Sequence, residues 1–257
     1  MLRVISTGMV LLGLLAASAP AQAQDQGFSV SLGYFTPRAE DGRASGDVLI
    51  ANRCIDTSFV CEPLLFDVGD FGGATIGGEY LIGIGKYVEA GVGAGFYQRT
   101  VSSIYEFVTR PDGSEIEQDL KLRVVPLTAT LKFVPTGRDA KFQPYIGAGI
   151  AALLWSYSET GEFVDPVDGS IFRDSFTADG TEVAPILFGG LRAPVGASMM
   201  LGGEVRYQQA DAELPVDEFL GDHINLGGWT FQANLTWITA GACASAWTRR
   251  ASCSGRT

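Results

Sequence analysis

Apolar and polar residues alternate with a period of two over much of the chain. The segment Trp229–Ile238 shows this most clearly, because every second position from Trp229 to Trp237 is apolar and the positions between them carry Thr, Gln, Asn and Thr. A period of two places successive side chains on opposite faces of a β-strand and fits a helix badly. The segment therefore predicts a strand with one apolar face and one polar face.

Seven further segments predict strands. Five of them alternate in the same way: Phe28–Tyr34, Ile76–Ile82, Val88–Phe96, Val125–Phe133 and Leu201–Tyr207. The other two, Gln143–Trp155 and Glu182–Arg192, are apolar on both faces, so the pattern leaves their orientation open. The chain is thus expected to be all-β, with eight strands.

The connections between the predicted strands alternate in length. Long polar stretches lie near 37–70, 101–119, 157–179 and 211–226. Short stretches with Gly or Pro turn residues lie near 83–86, 135–141 and 193–197. This alternation is typical of outer-membrane barrels. It predicts an eight-stranded antiparallel up-and-down transmembrane β-barrel with short periplasmic turns and four long extracellular loops.

A soluble barrel of the lipocalin type would show the same period but would turn its apolar face inward. Three features favour a membrane barrel whose apolar face points outward to lipid: the alternation of loop lengths, the aromatic last strand and the charges on the polar faces. Three acids and three bases on those faces could pair as a polar network in a narrow lumen: Glu79, Glu89, Lys132, Arg192, Glu204 and Arg206. Aromatic residues near strand ends suit the interfacial girdles of a barrel: Tyr34, Tyr80, Tyr87, Phe133, Tyr145, Trp155, Trp229 and Trp237.

The N-terminal residues predict export. Arg3 precedes the apolar run Met9–Ala17, and Ala21-Gln22-Ala23 forms a small-x-small cleavage site. The run is too short to span a bilayer as a helix. We therefore expect a Sec-type signal peptide over residues 1–23 and a barrel over residues 24–238. The expected location of the barrel is the cell outer membrane.

Two short motifs resemble a known family. Phe142–Gly149 resembles the turn-and-strand signature of small outer-membrane β-barrel proteins of the porin-family, OmpA/OmpW-like kind. Leu235–Trp237 resembles the aromatic C-terminal signal that the barrel-assembly machinery reads. The resemblance covers roughly Gly27 to Ile238 and diagnoses a class of protein, not an activity.

The resemblance implies partners. They are outer-membrane lipid, lipopolysaccharide and the barrel-assembly machinery, and the residues of the assembly-signal strand would be Trp229, Phe231, Leu235 and Trp237. One departure is the segment Thr239–Thr257, which continues past the aromatic residue that usually ends such chains. It lacks apolar alternation and is expected to be a disordered tail.

Composition and charge narrow the possible partners. The chain has 257 residues, 18 Lys+Arg against 29 Asp+Glu and a formal net charge of −11. Binding nucleic acid needs a basic face, so no nucleic-acid partner is expected. Most acids fall in the four long polar stretches, where an acidic rim could share divalent cations with lipopolysaccharide. A mean hydropathy of +0.17 fits an apolar belt better than a disordered chain.

Candidate chemistry is sparse. His223 is the one histidine of the chain, and no serine lies beside it to form a nucleophilic pair. We expect no catalytic residue, no metal site, no cofactor and no enzyme activity. Cys54 and Cys61 lie in the first long stretch, and an oxidising compartment favours a loop disulfide between them.

The strand count limits the possible functions. Eight strands enclose an interior just wide enough for side chains to fill. We therefore expect either a narrow passive channel for small or hydrophobic solutes or an envelope-structural barrel in contact with lipopolysaccharide. Gly91, Gly93 and Gly95 on one inner face could leave the gap that a channel needs. The alternative is a surface protein whose loops carry adhesion or interaction.

Overall fold

The computed structural model describes residues 26–50, 64–165, 168–196, 198–215, 219 and 221–239. The predicted signal peptide, the pair Cys54 and Cys61, and the tail after Thr239 lie outside these residues. Within the described residues, no helix has the length and apolar character needed to cross a membrane.

Eight antiparallel strands form a closed ring. In chain order, β1 to β8 are Gln26–Pro37, Gly73–Ile84, Val88–Thr109, Glu115–Phe133, Gln143–Val164, Ile171–Pro194, Met199–Gln208 and Gly228–Thr239. Each strand pairs with its neighbours in sequence, and β8 pairs with β1 from Gln26 opposite Thr239 to Pro37 opposite Gly228. Closure gives every barrel strand a hydrogen-bonded neighbour on both sides of the ring, as a strand in hydrocarbon requires. The predicted eight-stranded up-and-down barrel is confirmed.

The apolar faces of the strands point out of the ring. Large apolar side chains that are exposed on this outer surface include Phe28, Leu32, Ile76, Val92, Phe96, Leu127, Leu131, Leu201, Val205 and Phe231. The two segments of open orientation follow the same rule, since Ile146 and Ile150 on β5 and Val183 and Leu187 on β6 are exposed. A barrel of the lipocalin type would bury this face, so the arrangement is that of a membrane barrel.

The alternation inverts along the longest strands. β3 to β6 contain 22, 19, 22 and 24 residues, whereas a tilted strand crosses a membrane in about 9–11. On β4 the outward residues are apolar from Val125 to Phe133 but charged at Lys121 and Arg123, while Leu122 between them is buried inside. We call the part with apolar outward residues the membrane half and the part beyond Arg123 the extracellular half.

Because of this inversion, two of the segments predicted as long loops are mostly extensions of the barrel strands. Residues 101–119 and 157–179 are mostly β-structure, because β3 runs to Thr109 and β4 begins at Glu115, while β5 runs to Val164 and β6 begins at Ile171. The period of two persists there, but the apolar residues face inward because the surrounding solvent is water. An apolar stripe on the outer face therefore ends before the strand does.

The first and last long connections fold over the mouth of the ring. The first contains the 3-10 helices Glu40–Gly42 and Val68–Phe71 and the two-residue strand Leu64–Leu65, which pairs with Ile104 and Tyr105 of β3. The last contains a small ladder between Asp211–Glu213 and His223–Asn225. Both connections place apolar side chains inside the extracellular half.

Candidate functional site in the barrel interior

All six charged residues of the predicted polar network face the interior of the membrane half. The central group joins β2, β4 and β7: Lys132 Nζ lies 2.5 Å from Glu79 Oε2 and 3.9 Å from Glu204 Oε2. Arg206 Nη2 donates to Glu204 Oε1 over 2.9 Å. The Glu204 side chain is fully buried, and Lys132 lies between its carboxylate and that of Glu79, so two cations compensate two carboxylates.

A second pair lies nearer the short turns. Arg192 Nη2 on β6 is 2.5 Å from Glu89 Oε1 on β3, across the ring. Arg192 Nε donates to Gln143 Oε1 over 2.9 Å, and Gln143 Nε2 donates to the Ala140 carbonyl in the adjacent turn over 3.1 Å. These contacts connect the ion pair to the periplasmic end of the barrel.

Aromatic rings fill the space beside the cations. Tyr145 OH donates to Glu204 Oε2 over 3.0 Å, and Lys132 Nζ lies 5.5 Å from the ring centroids of both Tyr145 and Phe188. Arg206 lies 5.2 Å from the Phe188 centroid. Tyr145 is therefore a member of the interior network and not of the outer girdle expected for it. Trp155 likewise is buried inside, because the positions of β5 that face the interior are the odd-numbered ones.

Glycine makes room for this network. A Cβ at Gly91 would lie 2.5 Å from Glu79 Oε1 and 2.5 Å from Thr130 Oγ1, two atoms that share a hydrogen bond of 2.6 Å. Gly91 thus accommodates the Glu79–Thr130 contact and does not open a gap. Among the described residues, a cavity of about 70 Å³ lies beside Glu79 and Arg206 and one of about 40 Å³ beside Glu89 and Arg192. Cavities of this size hold only a few waters.

Apolar side chains fill the interior of the extracellular half. Leu120 and Leu122 of β4 and Tyr157 of β5 form its wall. The first and last connections add residues that are buried against this wall: Leu49, Val68, Phe71, Phe219, Ile224 and Leu226. We call the first and last connections, with these six buried residues, the lid.

A buried carboxylate joins the two connections of the lid. Asp47 Oδ2 accepts from Arg43 Nη1 over 2.7 Å and from the Asn225 backbone N–H over 3.2 Å, and Asp47 Oδ1 accepts from the Leu49 backbone N–H over 3.0 Å. Arg43 and Asp47 have no exposed side-chain surface. Charge-assisted bonds in such a dry setting hold the first connection against the last. No sequence pattern distinguished Asp47 from the other loop acids.

A second buried acid has a different environment. Glu159 faces the interior of the extracellular half, and its Oε1 accepts a hydrogen bond of 2.8 Å from Tyr157 OH. No described residue forms an ion pair with Glu159. Burial raises the pKa of Glu159 from 4.5 to about 7, and the hydrogen bond from Tyr157 opposes this shift only in part.

Glu159→Gln is expected to stabilise the barrel at pH 8 and to leave it nearly unchanged at pH 4.5. The folded-state pKa is raised, so the unfolded chain ionises first as the pH rises, and stability is lost between pH 4.5 and about 7. The amide removes that loss, which is about 1–3 kcal/mol. Urea unfolding in lipid vesicles at the two pH values measures it. Glu117→Gln on the exposed face of β4 is the control, and an equal gain at both pH values would contradict the assignment.

The remaining candidates are not assembled into a reactive site. His223 Nδ1 lies 2.5 Å from Asp222 Oδ1, and no described serine hydrogen-bonds to the ring. Within the described segments, no three acidic, histidine or cysteine side chains converge as metal ligands. Of the assembly-signal residues, Trp229, Phe231 and Trp237 are exposed on the outer face of β8, and Tyr207 packs on Trp229 with 4.8 Å between centroids.

A closed eight-stranded ring with an outward apolar belt and a polar interior defines an integral outer-membrane β-barrel protein. The chain belongs to the family described as outer membrane protein beta-barrel domain, whose model matches residues 7–238. The protein is located in the outer membrane. No curated protein sequence matches the chain.

Solved structures match the chain at low sequence identity. The outer membrane protein OprG from Pseudomonas aeruginosa matches with a TM-score of 0.50 and 12% identity, over 85% of this chain and 97% of that one. Neisserial surface protein A matches with a TM-score of 0.45 and 11% identity, over 84% and 99% of the two chains. A major outer membrane protein from Thermus thermophilus matches with a TM-score of 0.43 and 10% identity, over 85% and 100%.

Proposed function

We propose that the protein is an envelope-structural barrel that does not conduct solutes and has no enzyme activity. The observation that carries this proposal is the filling of the interior at two levels. Ion pairs and aromatic rings occupy the membrane half, and the apolar lid occupies the extracellular half. A solute would have to displace both, and opening the ion pairs alone would strand buried charges.

The narrow-channel function is less well supported. A channel needs a connected polar path, whereas the interior around Leu49, Phe71 and Tyr157 is apolar and closely packed. The inner glycines do not favour a pore either, because the one at position 91 accommodates a carboxylate.

A surface-interaction function is the second candidate, and one feature favours it. β5 and β6 extend beyond the membrane half as a hairpin whose tip exposes Ile171 and Phe172. Phe163 stacks on Phe172 with 5.8 Å between ring centroids, so the tip presents a preordered apolar surface. Such a surface suits contact with another protein.

Planar-bilayer recordings test the proposal. The wild-type barrel should give no conductance steps above the bilayer background. A variant that empties both levels is the positive control, provided that its gel mobility remains heat-modifiable: it carries alanine at Glu79, Lys132, Glu204 and Arg206 and also at the lid residues Leu49, Phe71 and Phe219. Steady wild-type channels would overturn the proposal.

A cellular measurement separates the structural function from surface interaction. Loss of the gene should admit a normally excluded dye, and the double variant Ile171→Ser, Phe172→Ser should restore the barrier as well as wild type does. Restoration by wild type alone would favour the interaction function instead.

A further inference from the structure

Two exposed cations lie directly above the lipid belt on one side of the barrel. Arg123 and Lys121 are the first two outward residues of β4 beyond the membrane half, and both side chains are exposed. No described carboxylate forms an ion pair with either of them. In a chain of net charge −11, an unpaired basic doublet at the membrane boundary is a specific feature.

Uncharged hydrogen-bonding side chains flank the doublet. Arg123 pairs in register with Gln98 of β3 and Ser156 of β5, and Lys121 pairs with Thr100 and Ser158. These four side chains lie on the same outer surface as the doublet, because paired residues on neighbouring strands share a face. On the same outer face, Asp119 is two residues from Lys121 along β4, and its Oδ1 accepts from Ser102 Oγ over 2.7 Å. Asp179 lies opposite Ser156 and is two strands away from Arg123.

An apolar groove lies below the doublet on the same strands. Its volume is about 360 Å³, and its outward-facing lining comprises Val92, Leu127, Ala129, Ile150, Ala152 and Val183. Small alanines beside larger neighbours create the depression. Leu127 is four residues from Arg123, so the upper edge of the groove is about 13 Å from Arg123 along the tilted strand β4, on the lipid-facing side.

We infer that this surface binds a phosphorylated outer-leaflet glycolipid of the lipid A type. Lys121 and Arg123 would bind the phosphates, because cations of this kind form charge-assisted bonds to phosphate oxygens. Gln98, Thr100, Ser156 and Ser158 offer hydrogen bonds to sugar hydroxyls, which a phospholipid headgroup supplies poorly. An acyl chain would occupy the groove. The site gives the proposed structural barrel a defined lipid partner and thus rests on that proposal, although the binding measurement below does not depend on conductance.

Native mass spectrometry of the folded full-length barrel in detergent tests the site. With EDTA present, bisphosphorylated lipid A should bind about tenfold more tightly than its dephosphorylated form, and phosphatidylglycerol should bind no better than the latter. The double variant Lys121→Gln, Arg123→Gln should lose roughly tenfold in affinity for bisphosphorylated lipid A. The double variant Lys86→Gln, Lys141→Gln is the matched control. It removes the same charge at the short-turn end and should stay within twofold.

A second pair of variants tests the groove. Ala152→Phe should fill it and weaken lipid A binding several-fold, whereas Ala148→Phe, an outward alanine of the same strand outside this groove, should stay within twofold. Heat-modifiable gel mobility verifies folding of each variant. Equal binding of phosphatidylglycerol, or unchanged lipid A affinity in the Lys121/Arg123 variant, would overturn the proposal even if the barrel proves non-conducting.

Discussion

Glu204→Gln is expected to lower the free energy of unfolding of the barrel by about 3–5 kcal/mol, because it removes the buried carboxylate that pairs with Arg206 and lies 3.9 Å from Lys132. Glu204 accepts from Tyr145 over 3.0 Å, from Gln232 over 2.9 Å and from Arg206 over 2.9 Å. The amide keeps the shape but puts an NH₂ group where a donor already points. Arg206 and Lys132 are then left with less negative charge in an interior whose small cavities hold only a few waters.

Equilibrium urea unfolding in lipid vesicles measures this loss. The double variant Glu204→Leu, Arg206→Leu should lose less than Glu204→Gln, since replacing both partners of a buried pair leaves no uncompensated charge. Glu117→Gln on the exposed face of β4 should change the free energy of unfolding by less than about 0.5 kcal/mol. A cost for Glu204→Gln below about 1 kcal/mol would show that the interior network contributes little to stability.

The membrane half of the fold is largely readable from the sequence. In the membrane half, apolar residues such as Leu127 face the lipid and polar residues such as Thr128 face the interior. The alternation that this rule produces marks each strand and shows that Lys132 lies on the inner face. The rule fails beyond Arg123 because the solvent changes from hydrocarbon to water. Leu120 and Leu122 then face inward, so the same period carries the opposite meaning and the polar outer residues resemble a loop.

The lid could not be predicted in the same way. Asp47 bonds to Asn225, a residue 178 positions later in the chain, and such a contact leaves no local period in the sequence. Tyr145 illustrates a related difficulty. An aromatic residue at a strand end fits an interfacial girdle and an interior ring stack equally well. The choice depends on which face of β5 carries the odd-numbered residues, and the sequence leaves this open because both faces of that segment are apolar.

The second large predicted effect concerns an arginine placed on the outer face of a strand, where its cost depends on whether lipid or water surrounds that position. Ile150→Arg should lower the free energy of unfolding in vesicles by about 2–4 kcal/mol, because Ile150 is an outward residue of β5 near the middle of the belt. Thr160→Arg, ten positions further along the same outer face, should change it by less than about 0.5 kcal/mol, because Thr160 lies in the extracellular half.

The two substitutions share strand, face and charge, so the difference between them reports the surrounding solvent and not the strand's tolerance of arginine. In detergent micelles the apolar layer around the barrel is thinner and more adaptable. There the difference between the two unfolding costs should become smaller, and Ile150→Arg should remain the more costly substitution. Equal costs at both positions in vesicles would mean that lipid covers β5 well beyond Leu154. That result would move the membrane boundary away from the row of Arg123 and remove the reason for assigning a phosphate-binding site to it.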